Sequence, residues 1–434
     1  MDRWIRTGHN DHGGGPVGRR GDRRVVGVIA AAASWGVFWG GWAALLPAIL
    51  ERLSTSEREL GLALLAIPAG ALPAMVGSGR LADRIGQALL PIVLVGFGGA
   101  TAVVGLVPSV PWLTVALLMV GATSGAIEVA LNTTTAALEE ATGARLFNKV
   151  HAATPLAMVV AAPVVGAARQ AGAGPAVISG VIGLLVLGTA LLNLRFQRDT
   201  EKAEKVLSGT AGRPKRREAT AKPDPGQANQ GPKQGNTVGA FGGSLTKGTL
   251  LLLGGVAAVV LLLENAVEQW SALHLERGLG ATPLVGSLGP ASYMAALALG
   301  RVLAQTFGAR LPDRVLVVIA GVSGCAGLGL AAVAPVVPLA LLGFAMAGCG
   351  MAAAVPTILA VAGRLAAPTS RGRAMSAITT TAYLGFLSSP VLVGALASAI
   401  NLRTALMVVA ALGLIVSFAA VQIRAFHTHP EQRS

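Results

Sequence analysis

The sequence predicts an all-α membrane protein with twelve transmembrane helices in two six-helix blocks, and three observations lead there. Of 434 residues, 53% are hydrophobic and 12% charged, with a mean hydropathy of +0.65. An ordinary soluble domain is charged at about a quarter of its residues. Apolar runs that reach the ~20 residues needed to cross a bilayer recur twelve times between charged or Pro/Gly-rich breaks. Threaded with both termini on one side, these runs leave 29 of the 34 Lys and Arg residues on the terminal side, the bias of cytoplasmic loops.

A Gly- and Arg-rich tail, 1–23, precedes the first run, near 25–50. That run is too long for a cleavable signal peptide and is expected to stay as an anchor. Runs near 59–79, 88–108, 112–138, 150–168 and 176–194 complete a first block, 24–194. Residues 195–247 are polar, basic and Pro/Gly-rich, without apolar periodicity, and read as a disordered cytoplasmic linker. Runs near 248–274, 284–304, 315–334, 337–363, 374–399 and 404–423 form the second block, 248–423, ahead of a tail at 424–434.

The formal charge of +14 invites a nucleic-acid reading. Its one-sided placement fits a membrane orientation instead, with termini and linker cytoplasmic, so the lipid bilayer is an expected partner and nucleic acid is not. Cys325 and Cys349 each sit inside an apolar run as small packing residues and suggest no disulfide framework. His9, His12, His427 and His429 lie on the tails as incidental residues; neither a metal site nor a cofactor is expected.

The two blocks align with a shift of about 223 positions. Leu81-Ala82-Asp83-Arg84-Ile85-Gly86 stands beside Leu303-Ala304-Gln305-Thr306-Phe307-Gly308, and Gly125-Ala126-Ile127-Glu128 beside Gly350-Met351-Ala352-Ala353. Six plus six repeats around a central loop are the plan of alternating-access transporters, which hold substrate near mid-membrane between the halves.

After the second run comes GRLADRIGQ, residues 79–87, on the basic terminal side. It resembles the signature loop of the major facilitator superfamily. The resemblance implies that Gly79 permits close helix approach, that Asp83 faces the positive end of a half-helix or an Arg across the domain interface, that Arg84 supplies cytoplasmic charge, and that Gly86 allows the turn into the third helix. Gln87 replaces the usual basic residue. In the second block Gln305 and Thr306 stand where the Asp-Arg pair would be, so a charged gate there is either lost or carried by Arg301 and Asp313.

A narrower resemblance spans nearly the whole chain outside tails and linker. LPAILERLSTSERELGLALL at 46–65, EVALNTTTAALE at 128–139, His151, ENAVEQWSALHLERGLGA at 264–281 and GRAMSAITTTAYLGFLSSPVLVGALA at 372–397 are similar to the bacterial YbjJ- and MosC-like inner-membrane facilitators. One member of that group is associated with a rhizopine, an inositol-derived amine. The resemblance implies the major facilitator fold. Three departures, Leu45 in place of Arg, Glu128 in place of Asp and Ala353 in place of Asn, remove the expectation of a shared substrate.

An ionised carboxylate near the bilayer centre costs at least ~2.5 kcal/mol, and Glu128, Glu264 and Glu268 lie well inside expected spans. In LLLENAVEQW, residues 261–270, Glu264 and Glu268 share a helical face with Ser271; Asn265 lies at its edge and Trp270 points away. With no Lys inside these spans, two ionised carboxylates would repel, so the pair is expected to exchange a proton at ordinary pH. The plainer alternative has one glutamate bonded to a backbone group or serine while Glu268 meets water at the far mouth. Glu128 and Asn132 repeat the i, i+4 geometry, to bind substrate or proton, or to tie neighbouring helices together. Trp35, Trp39 and Trp42 recur at i, i+4 and i+7, too near mid-span for an interfacial belt. They form either a stacking wall for a ring or cation, or packing. Ala162-Pro163-Val164-Val165-Gly166 faintly echoes a motif of drug/proton antiporters.

These features favour a monomeric secondary active transporter of a small organic solute in the cytoplasmic (inner) membrane, coupled to protons and leaning to export of a drug-like or secondary metabolite. The alternatives are uptake of a sugar- or polyol-like solute and a non-transporting receptor or scaffold on the same fold. No enzyme is expected: catalysis needs a clustered nucleophile, His–acid pair or metal set, and His151 and His274 stand isolated in the sequence.

Overall fold

A computed structural model describes residues 16–210, 246–367, 370–423 and 426. The expectations for the two tails, their histidines and most of the linker fall outside these residues. Fifteen α-helices follow in order: α1 (Pro16–Arg52), α2 (Glu57–Leu64), α3 (Ala66–Ile85), α4 (Leu89–Val104), α5 (Val110–Thr142), α6 (Phe147–Gln170), α7 (Pro175–Thr210), α8 (Lys247–Leu273), α9 (Pro283–Gly286), α10 (Leu288–Phe307), α11 (Asp313–Val333), α12 (Val337–Met351), α13 (Ala354–Leu365), α14 (Arg371–Ala399) and α15 (Leu402–Gln422). No strand occurs among the described residues.

All twelve expected runs are helical. Ten stretches are long and apolar enough to cross a membrane, and one of them, Glu57–Val104, is 48 residues long and covers the second and third runs together. It turns at Gly86, whose φ of +56° is left-handed and favours glycine. The eighth run falls short of that apolarity because Arg301 and Gln305 interrupt it.

The second, eighth and tenth runs are each split, into α2/α3, α9/α10 and α12/α13. Pro68, Pro290 and Pro356 stand third in the helix that follows each break, where a missing N–H loses no intrahelical bond. The breaks before Pro68 and Pro290 recur at nearly the shift that aligns the blocks. Helix packing recurs as well. A methyl group added at Gly125 would run into the carbonyl of Ala71, and one added at Gly348 into that of Tyr293, so α5 on α3 repeats as α12 on α10. This contact aligns Gly125 with Gly348, two positions short of the Gly350 expected from the sequence.

Two ends run past their expected limits. α1 begins at Pro16, a residue suited to a first helical position. α7 continues through Thr210 into what the sequence reads as linker, since helix-favouring Glu, Lys, Ala and Leu persist there and no proline intervenes before Pro214.

The chain clusters into two compact units that do not follow the sequence blocks. One comprises Met1–Trp39, Ala66–Ala161 and Gly174–Glu201; the other Gly40–Leu65, Ala162–Ala173 and Lys202–Ser434. In the second unit, α2 lies against α14 so closely that Gly61 abuts the carbonyl of Pro390 and Gly394 that of Glu57. Small residues thus bring an early helix into the later helices' core.

Candidate functional site

Within the second unit, α8 carries Glu264 and Glu268 one turn apart, both half-buried. Neither makes a hydrogen bond or ion pair among the described residues. Asn265 does not share their setting: it is only 1% exposed and its Oδ1 has no partner. Trp270 is buried as well, consistent with pointing away from the carboxylates.

α10 packs on α8 and adds one residue that the sequence reading missed. Tyr293 is fully buried with its hydroxyl unpartnered, and orphaned buried polar atoms are uncommon. Two turns on, Arg301 is exposed. Asp313, set beside Arg301 in the expected gate, pairs with Arg364 of α13. Tyr293 was discoverable as one of only two tyrosines in the chain, placed inside an apolar run.

In the first unit, Ser124, Glu128 and Asn132 line one face of α5 at four-residue spacing. Trp35 of α1 donates its indole N–H to Ser124 Oγ at 2.8 Å. His151 of α6, isolated in sequence, lies with Nε2 3.1 Å from Asn132 Oδ1, and its ring stacks on Phe147. Asn132 is thus tied to a neighbouring helix, while half-buried Glu128 between the two bonded ends has no hydrogen bond or ion pair among the described residues.

The tryptophans part company. Trp39, in the first unit, is half-buried with Phe38 edge-on at 5.1 Å. Trp42, in the second, is 1% exposed and donates to Gln269 Oε1 at 3.2 Å. Trp42 is packed and bonded, as the packing alternative expects of one of the three rings.

Asp83 and Arg84 in the last turn of α3 and Gly86 just after it are exposed, and neither charge is ion-paired among the described residues. Gly86 makes the turn expected of it. Gly79 does not make the expected close approach: a methyl group added there meets nothing within 4 Å.

A repeated set of split and continuous membrane-length helices, with unpaired carboxylates on half-buried faces, defines a polytopic carrier of small solutes. Residues 253–434 match the Major Facilitator Superfamily. Membrane protein MosC of Rhizobium meliloti is 26% identical over 390 residues, covering 89% of this chain and 86% of that protein. An uncharacterised transporter, y4wD, of Sinorhizobium fredii is 26% identical over 400 residues, covering 91% and 96%. The fold also matches a mutant of the nucleoside transporter NupG, with a TM-score of 0.74 at 11% identity over 92% of this chain and 99% of that one. A bacterial homologue of the human lysosomal transporter Spinster gives 0.69 at 16% identity over 96% and 98%. The chain has the fold of these transporters, and its second half is similar in sequence to the Major Facilitator Superfamily.

Proposed function

We propose that this transporter moves a small organic solute across the cytoplasmic membrane by proton-coupled alternating access, as a monomer with both termini cytoplasmic, in the direction of export. The observation that carries the reading is the Glu264–Glu268 pair. Two carboxylates one turn apart, unpaired among the described residues within a membrane helix, form a group suited to taking up a proton. Glu128 and Asn132 are assigned to the substrate, and the Glu264–Glu268 pair to the proton. The loop at Asp83 and Arg84 sets which side is open. Export is favoured by the Ala162–Gly166 segment and by the apolar residues at Leu45 and Ala353.

Reconstitution into liposomes tests this. A panel of labelled amines, nucleosides, sugars, polyols and drug-like dyes is assayed with and without an imposed pH gradient. At least one solute should accumulate against its own gradient only when protons flow. Movement that ignores the pH gradient makes the protein a uniporter, and no movement of any solute favours a receptor or scaffold.

A further inference from the structure

α8 ends in a π-helical turn, His274–Gly278, which shifts the facing of its last residues relative to a continuing α-helix. The turn presents two adjacent opposite charges, and each finds its complement on a different helix of the second unit. Glu276 receives Arg169 of α6 in a two-pronged pair, Nη1 to Oε1 at 2.6 Å and Nη2 to Oε2 at 2.9 Å. Their side chains are only 7% and 12% exposed. The same Nη1 donates to the carbonyl of Ala44 on α1 at 2.6 Å. Arg277 donates to Glu57 Oε1 of α2 at 3.2 Å, with both side chains partly in solvent. Two glycines make room: Gly286 beside the Glu276 side chain, and Gly166 of α6 beside Ser287.

We propose that this π turn is a latch, and that opening the membrane face opposite the termini requires the Arg169–Glu276 and Arg277–Glu57 pairs to part. By the threading of the helices, the ends of α1, α6 and α8 and the start of α2 all lie on that face. A buried ion pair is a poor permanent brace, since apolar residues of similar volume hold as well or better. It is a good reversible one, because each separated charge regains water. The alternating order of charge adds register: a slip of one position would set like charge against like. The purpose of the latch rests on the transport reading, but its test does not.

The test uses the purified full-length chain in detergent, with Cys325→Ser and Cys349→Ser as background and Ser287→Cys as reporter. Ser287 is fully buried beneath Gly166, so a maleimide reaches a cysteine there only when α6 lifts away. Glu276→Gln should raise the labelling rate about tenfold or more, since it leaves Arg169 charged and unpaired. Arg277→Gln should raise it about twofold, as suits a pair partly in water. Arg169→Glu combined with Glu276→Arg should bring the rate back toward the parent. An unchanged rate in Glu276→Gln overturns the latch, as does an exchanged pair that labels as fast as the single variant. Should Glu276→Gln fail to fold, Arg277→Gln decides alone, faster labelling supporting the latch and an unchanged rate overturning it. Because no solute is needed, a failed flux screen leaves this outcome standing.

Discussion

The indole N–H of Trp42 on α1 donates to Oε1 of Gln269 on α8 across 3.2 Å, and both side chains are nearly fully buried. This bond joins the first helix to the helix that carries Glu264 and Glu268, one residue beyond the second carboxylate. Trp42→Phe should therefore leave Gln269 Oε1 without its donor and lower stability by about 1–3 kcal/mol. Thermal unfolding in detergent of Trp42→Phe, Gln269→Leu and the double variant measures it. The double variant should lose less than the two singles summed, by about 1 kcal/mol; full additivity would show that the two residues act independently.

Asp83 stands exposed near the end of α3 and makes no ion pair among the described residues. Asp83→Asn should keep the parent's unfolding temperature, since no native partner is lost, yet slow flux of the solute found in the liposome panel several-fold. Arg84→Ala should do so more mildly. Equal flux in Asp83→Asn and parent would mean that the loop turns the chain and does nothing more.

By the bias of basic residues, both termini and the central linker are expected in the cytoplasm. Reporter fusions at Gly226 and Arg433, both outside the described residues, should read cytoplasmic. A periplasmic signal at either would reverse the assignment.

The helical runs were legible because crossing a bilayer needs a length and an apolarity that composition displays directly. The repeat was legible too, since GRLADRIGQ and its counterpart lie at one shift. The splits in the second, eighth and tenth runs were marked by Pro68, Pro290 and Pro356, but proline alone does not separate a break from a kink. Charge partners were the least legible. His151 bonding Asn132 and Arg169 meeting Glu276 depend on which helices pack together, and spacing along one helix carries no record of that. For Glu264 and Glu268 the i, i+4 spacing sufficed, because their relationship lies within one helix.

Glu128, between the bonded Ser124 and Asn132, has a separate expected role. Glu128→Gln should weaken solute binding, seen as a raised half-saturation concentration in counterflow, while accumulation per proton stays intact. Loss of proton-driven accumulation with unchanged binding would move the coupling site to α5.

The central claim is that the α8 carboxylates carry the coupling proton, and Glu264→Gln tests it most directly. The amide mimics a permanently protonated acid, so only titration is removed; Glu268→Gln, assayed alongside, should act likewise or shift the pH optimum. In proteoliposomes loaded with the solute from the panel, Glu264→Gln should retain counterflow at near the parent rate and lose pH-gradient-driven accumulation. Full proton-driven accumulation in Glu264→Gln would contradict the account and leave Glu264 as a structural or substrate-binding group.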